Sequence, residues 1–205
     1  MSADTGLAQR LAALGSCGIS DAQDGRGLIS SGLVRLSGAG AIAGRAITAA
    51  CEDGSAGGAL FAMAEAQPGD VLCVVCPGET ASMGDLVMDE IRRRGIAGLV
   101  VDGFMRDTAA LQQMGFSCWA RGVTPVRSGH RSPGQPNVPI EMGPTTVQPG
   151  NWIVGDDDGV MALPVADLDG VLERGDAQIA FEARVRELMA GGASLIEAFT
   201  AAGGH

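Results

Sequence analysis

A chain of 205 residues with 46% hydrophobic and 19% charged side chains can bury a core as one domain, which excludes intrinsic disorder. Its 24 acidic residues against 14 basic ones give a formal charge of -10, so neither nucleic acid nor an anionic membrane is expected as a partner. All 14 basic residues are arginine, and without lysine the imine-forming enzymes, pyridoxal-phosphate enzymes and Walker-type phosphate loops are excluded in their usual form.

Leu7, Leu11 and Leu14 recur at helical spacing up to Gly15, so a short amphipathic helix opens the chain, and Ser20 reads as a helix N-cap. The runs Leu33 to Leu36 and Ile42 to Cys51 are β-prone. Gly57 to Ala66 reads as a helix closed by Gln67-Pro68-Gly69-Asp70, and Val71 to Cys76 as a strand. A helix over Met83 to Arg94, a short apolar strand over Gly98 to Asp102 and a helix over Asp107 to Met114 complete an alternating β-α-β-α middle third. Beyond Gly115 short strands follow at Val138 to Met142, Trp152 to Val154 and Val160 to Leu163. Asp167 to Ala190 is a long helix and Ser194 to Ala201 a short one.

The turn chemistry repeats. Gln67-Pro68-Gly69-Asp70 and Gln148-Pro149-Gly150-Asn151 each precede an apolar strand, with Pro and Gly where a type II turn needs them. Gly122 to Pro139 has no periodicity and reads as a long loop of the kind that often carries function. The Met1 to Arg10 segment lacks a basic stretch followed by an apolar core, and no run approaches the ~20 apolar residues of a membrane span, so a cytoplasmic protein is expected. Cys17, Cys51, Cys73, Cys76 and Cys118 form a scattered set expected to stay reduced. Cys73 and Cys76 spell C-x-x-C, but strand alternation sends them to opposite faces, which suits buried hydrophobes better than a shared metal.

Two segments can carry chemistry. Gly84-Asp85-Leu86-Val87 puts a glycine and a carboxylate at the front of a helix, where backbone N–H groups and the positive dipole end hold an anion such as a carboxylate; the plainer reading is that Asp85 caps the first turn. Val100-Val101-Asp102-Gly103-Phe104-Met105-Arg106-Asp107 is a buried strand that ends in an Arg-Asp pair at a helix start. Arg106 offers a planar fork for a carboxylate and Asp107 hard oxygen for Mg²⁺ or Mn²⁺, a combination suited to a 2-oxo acid; taken alone, the pair also fits a surface arginine beside a capping aspartate.

Asp85, followed after 20 residues by Arg106-Asp107, resembles the D-x20-R-D signature of the RraA-like family, which includes the class II 4-hydroxy-4-methyl-2-oxoglutarate/4-carboxy-4-hydroxy-2-oxoadipate aldolases. Val100-Val101-Asp102-Gly103, Ala120-Arg121-Gly122, Asn137-Val138-Pro139-Ile140 and Val154-Gly155-Asp156-Asp157-Asp158-Gly159-Val160 resemble the family as well, in order, over roughly residues 15 to 190. The resemblance implies an α/β fold, a single swivelling β/β/α domain with N- and C-terminal helices (core 15–165, C-terminal helices 166–205). Homotrimers or homohexamers with sites at subunit boundaries are implied too.

The resemblance also implies a mechanism. Arg106 and the N–H groups of Leu86 and Val87 hold the pyruvyl carboxylate, Gly84 lies beside them, Asp107 anchors Mg²⁺ or Mn²⁺ partly through waters, and Asp85 orients a proton-relaying water. Retro-aldol cleavage of a 4-hydroxy-2-oxo acid and decarboxylation of oxaloacetate both pass through a pyruvate enolate, so one site supports both. Glu182 is the candidate for an acid contributed by a neighbouring subunit. One departure stands out: Thr108-Ala109-Ala110 follows the pair where the family usually has Glu or Asp two residues on, which points to altered metal affinity. The rival reading is a non-catalytic regulator that binds a protein such as ribonuclease E. Family members of that type are expected to carry glycine where Asp85 stands.

Other candidates have plainer readings. Asp156-Asp157-Asp158-Gly159 lacks the spacing of a calcium loop and reads as a hairpin turn. Arg92, Arg93 and Arg94 complement a helix dipole. His130, Arg127 and Arg131 are loop residues that could meet the distal carboxylate of a substrate, and His205 ends the chain.

Overall fold

The structure, a computed structural model, describes residues 3–30, 32–52, 55–127 and 132–204. Helix α1 (Ala3–Ala22) leads into strands β1 (Val34–Ser37) and β2 (Ile42–Ala50). Then come α2 (Gly57–Glu65), β3 (Val71–Val75), β4 (Ala81–Met83), α3 (Asp85–Arg93), β5 (Gly98–Met105), α4 (Thr108–Met114) and β6 (Ser117–Val123). Five short strands follow: β7 (Gln135–Pro136), β8 (Ile140–Met142), β9 (Thr145–Val147), β10 (Trp152–Gly155) and β11 (Val160–Leu163). Helices α5 (Leu168–Ala190) and α6 (Leu195–Ala201) close the chain.

β2, β3, β5 and β6 run parallel in the order β6-β5-β3-β2, and β1 adds antiparallel at one edge. At the other side β2 divides its length. Ala46–Ala50 pairs with β3, while Ile42–Arg45 pairs antiparallel with β10, which carries β11 beyond it. Helices α2, α3 and α4 cover one face, where Ala59, Ala62, Met88, Ile91 and Leu111 pack on Leu72, Leu99, Val101 and Cys118. The β8-β9 hairpin and the β10-β11 pair cover the opposite face, with Ile140, Met142, Val147 and Ile153 against Cys73, Val100 and Trp119. This is the expected layering of β on β on α. A third apolar cluster joins Leu11 and Ile19 of α1 and Val171 and Leu172 of α5 to Trp152, Val154 and Leu163. Gly175 permits the approach of the two helices, since a Cβ there would meet the Leu14 side chain at 2.7 Å.

Cys73 and Cys76 fall in different clusters on opposite faces of the sheet, as alternation requires, and both are buried. Both Pro-Gly turns have the third-position glycine at positive φ (Gly69 at 95°, Gly150 at 83°) and an i to i+3 backbone bond of 3.1 Å. In each, the last side chain also accepts from the first N–H: Asp70 from Gln67 at 2.7 Å and Asn151 from Gln148 at 2.9 Å.

Five local expectations need correction. Gly15 (φ 68°, ψ 177°) kinks α1 instead of ending it, and Ser20 lies inside the resumed helix, so it is no N-cap. The cap comes from 140 residues away: Asp156 accepts from the Ser16 N–H at 2.6 Å and the Ser16 hydroxyl at 2.5 Å. Residues 81–83 are a strand, and the helix begins at Asp85. β5 continues three residues past Asp102, because Asp102 is paired with Arg121 of the neighbouring strand and its burial costs no unmet charge. The stretch from Gly122 to Pro139 is only partly a loop, for β6 runs to Val123 and β7 pairs with β2.

Candidate functional site

The site forms where β4 and β5 end side by side. β4 is three residues long, too short for any periodicity to reveal, yet it pairs with β5 (Ala81 with Phe104, Met83 with Met105), and the Arg106 N–H donates to the Met83 carbonyl at 3.2 Å. That stitch places Gly84, which caps α3, against the Arg106-Asp107 pair that follows β5. The 20 residues between Asp85 and Arg106 are thus α3 and β5, a helix followed by a strand that returns its C-terminal end to the point where the helix began.

Asp107 organises the junction. Its backbone is left-handed (φ 61°, ψ 38°), and its carbonyl accepts from Ala110 at 3.0 Å and Leu111 at 3.1 Å as α4 begins. Its Oδ2 accepts from the Asp85 N–H at 3.3 Å and lies 3.3 Å from Arg106 Nε. Arg106 and Asp107 each keep about a third of the side chain exposed (33% and 36%), so the pair is open to a ligand.

Of the donors at the front of α3, the Leu86 N–H is taken by Asp85 Oδ1 at 2.8 Å, whereas the Val87 N–H has no partner among the described residues. The structure therefore separates two donors that the sequence reading treated alike: Val87 is open, and Leu86 must first exchange the Asp85 carboxylate. Gly84, Asp85, Leu86, Val87 and Arg106 line one cleft of about 180 Å³ together with Ala81 to Met83 and Arg127. Arg106 and Asp107 also line a second cleft of about 320 Å³ with Thr108, Val123, Thr124 and Pro125.

Among the described residues no three His, Cys, Asp or Glu side chains gather into a metal cage. The donor set still fits a hard divalent ion of the Mg²⁺ type, which keeps several waters and takes only one or two carboxylates from a protein. Asp107 supplies one, its Oδ1 free of hydrogen-bond donors among the described residues. Ala110, which stands where the resemblance leads one to expect an acid, is half-buried in α4 and offers no side-chain oxygen.

The remaining sequence candidates fall elsewhere. Glu182 sits on α5, accepting from Gln178 at 3.2 Å and Arg186 at 2.7 Å, and these two partners hold its carboxyl below the usual range; it lines neither cleft of its own chain. Asp156, Asp157 and Asp158 form the hairpin turn between β10 and β11, with Asp156 on Ser16 and Asp157 on Arg35 at 2.8 Å. Arg93 and Arg94 both bond Glu90 at 2.7 Å on their own helix. His130, Arg131 and His205 lie outside the described residues. Nothing in the sequence ranks Arg127 above its loop neighbours; the structure places Arg127 on the cleft through a backbone bridge to Ala81. No described helix is long and apolar enough to cross a membrane.

Comparison with known proteins places the sequence and the fold among relatives. A family model described as RraA-like, aldolase/RraA, matches residues 16–162. A protein of Halalkalibacterium halodurans named "Putative 4-hydroxy-4-methyl-2-oxoglutarate aldolase" is 38% identical over 158 residues, 76% of this chain and 75% of its own length. Among solved structures, an uncharacterized protein from Pseudomonas syringae pv. tomato superposes with a TM-score of 0.83 at 22% identity, over 95% of this chain and 96% of that one. Streptomyces coelicolor RraAS2, described as an unusual member of the RNase ES inhibitor RraA protein family, gives 0.78 at 27% identity over 91% and 98%.

Proposed function

The chain belongs to the RraA-like family, and on that footing we propose that it is a divalent-metal-dependent lyase that cleaves a 4-hydroxy-2-oxo acid to release pyruvate and also decarboxylates oxaloacetate. The observation that carries the reading is the convergence of Arg106, Asp107 and the front of α3 on one junction. Within the family, the aldolase name of the H. halodurans relative supports it.

Arg106 has the planar fork to clamp the 1-carboxylate of a 2-oxo acid, and the Val87 N–H adds a second donor near the positive end of α3. Asp107 would hold Mg²⁺ or Mn²⁺, which when bound supplies Lewis-acid polarisation of the 2-oxo group. Asp85, half-buried in the same cleft, orients the water that takes the proton from the 4-hydroxyl. As the C3–C4 bond breaks, its electron pair passes into a pyruvate enolate, and C3 then takes up a proton. In oxaloacetate, carbon dioxide leaves from the same position and the same enolate follows. A chain without lysine needs such an arrangement, because no amine is present to form an imine.

Assembly into homotrimers or homohexamers belongs to this reading. Leu86 is 79% exposed, and Val123 and Val126 are more than half exposed around the clefts, an apolar rim that a second copy would cover. Glu182 of that copy is then the acid within reach of the site. The location proposed for the protein is the cytoplasm.

The test measures pyruvate release from 4-hydroxy-4-methyl-2-oxoglutarate and from oxaloacetate, with Mg²⁺, with Mn²⁺ and with chelator, for the native chain, Arg106→Ala and Arg106→Lys. Metal-dependent turnover is expected to fall by about 10²- to 10³-fold in Arg106→Ala, with little recovery in Arg106→Lys because an ammonium lacks the bidentate fork. A native rate equal to that of Arg106→Ala on both substrates would sink the reading. The regulatory alternative, favoured by the likeness to Streptomyces RraAS2, would then take its place, with inhibition of a ribonuclease E-type enzyme as its assay.

A further inference from the structure

After β6 the chain crosses the end of β5 and returns along the far side of β4. The Thr124 N–H donates to the Met105 carbonyl at 3.0 Å, the Ala81 N–H donates to the Val126 carbonyl at 2.8 Å, and Ala81 bridges in parallel to Arg127. Ala81 is also paired with Phe104 on its β5 edge, so β4 lies between β5 and the 126–127 segment. Arg106 therefore reaches the cleft from one flank of β4 and Arg127 from the other. Two strand spacings, about 10 Å, separate their backbones. Both residues line the same cleft of about 180 Å³, together with β4 and the front of α3.

The charges in this cleft are unusual for a chain of net charge -10. Its lining holds two guanidinium groups and a single carboxylate, Asp85. Arg106 has Asp107 beside it at 3.3 Å, but among the described residues no carboxylate lies within ion-pair distance of Arg127, although the chain has 24 acidic residues to offer. An exposed arginine that is anchored by its backbone, lines a cleft and has no carboxylate partner among the described residues is a receptor for an anion that arrives with the ligand.

We infer that Arg127 takes the second carboxylate of a 2-oxo diacid whose first carboxylate sits on Arg106, and so makes the site select diacids over monoacids. The assignment rests on the proposed reading of the site as a 2-oxo acid lyase, and it adds the feature that sets the substrate class. A short diacid fits the geometry, since two long side chains approaching from opposite flanks can close on carboxylates a few bonds apart.

The experiment compares native protein, Arg127→Gln and Arg127→Lys in two arms, both with Mg²⁺. In the kinetic arm the substrates are 4-hydroxy-4-methyl-2-oxoglutarate and its monoacid counterpart 4-hydroxy-2-oxopentanoate. Arg127→Gln is expected to raise KM for the diacid by about ten- to a hundred-fold, with a smaller change in kcat, so that the diacid preference in kcat/KM falls by a similar factor. Arg127→Lys should recover part of it. In the second arm, which needs no turnover, calorimetry compares 2-oxoglutarate with pyruvate. Native protein is expected to bind 2-oxoglutarate at least about ten-fold more tightly, and Arg127→Gln to remove the difference.

If the native protein cleaves nothing yet discriminates the two ligands through Arg127, the proposed reaction fails and this assignment stands. If cleavage is robust but the Gln variant keeps the full diacid preference in both arms, the assignment is overturned and the reaction survives. Failure of native protein to bind 2-oxoglutarate more tightly than pyruvate also overturns it. Thermal melting of Arg127→Gln within about 1 °C of native is expected, because the side chain is exposed and holds no partner among the described residues.

Discussion

Gly84 and Asp107 occupy each other's space: a Cβ on Gly84 would fall on the Asp107 Oδ2 atom and press on the Arg106 side chain. The backbone at Gly84 is extended (φ -144°, ψ -159°), a conformation that any residue adopts, so the glycine is required by its neighbour and not by its own torsions. Gly84→Ala should therefore leave the fold within about 1 kcal/mol of native, yet push the carboxylate and guanidinium apart. The expected outcome is a drop in kcat/KM of about ten-fold or more at nearly constant melting temperature, read by steady-state kinetics beside a thermal melt. Equal activity in the variant would mean that the placement of Asp107 is not critical.

The Asp156 cap on Ser16 gives stability a pH signature. Burial raises the Asp156 carboxyl pKa, but the Ser16 hydroxyl, the Ser16 N–H and the backbone N–H groups of the turn outweigh it and hold the pKa below the ordinary aspartate value. A depressed folded-state pKa stabilises fully above the unfolded value of about 3.9, and the contribution disappears as pH falls through the lower folded value. Asp156→Ala should cost about 1 kcal/mol at pH 7, and the gap to native should close below about pH 4. Denaturant unfolding at pH 7, 5 and 3 measures it; a gap that does not narrow would show that the carboxylate charge is irrelevant to the cap.

Thiol accessibility should divide the cysteines sharply. None of the five is in a disulfide, Cys17 alone is exposed, and Cys51, Cys73, Cys76 and Cys118 are buried. The Cys76 thiol beside Cys51, with the Gly58 and Ala59 N–H groups, lowers the Cys51 pKa to about 7 against the opposing effect of burial. Burial alone pushes Cys118 up to about 12 and Cys73 higher still. Ellman titration of the native protein at pH 8 should consume one equivalent quickly, and five after unfolding. A second fast equivalent would identify Cys51 and reveal an opening near the start of α2.

Subunit assembly can be weighed directly. Sedimentation should give three or six times the chain mass of 20.7 kDa. Leu86→Asp, placed on the exposed rim, should shift the distribution toward smaller species and reduce turnover with it. A native monomer that turns over substrate at the full rate would remove the case for a site shared between subunits.

The parts legible from sequence were those with local or short-range signals. Gly84-Asp85 and Arg106-Asp107 stood out because a cap and a strand end are written in adjacent residues, and the opposite faces of Cys73 and Cys76 followed from strand alternation. What stayed hidden depends on distant partners. The Ser16 cap is supplied by Asp156, the strand identity of Ala81–Met83 by Phe104 and Met105, and the placement of Arg127 by a bridge to a residue 46 positions earlier. Leu86 and Val87 looked equivalent as donors, and only the Asp85 side chain, folded onto Leu86, tells them apart.

The left-handed backbone of Asp107 sets durability against chemistry at a single position. An L-residue there carries a strain of about 1 kcal/mol that glycine would relieve. A library of this protein sorted only by survival of heating would thus drift toward glycine at 107 and discard the carboxylate proposed to hold the divalent ion. Selection for this fold has to be applied through turnover, because heat rewards the loss of its site.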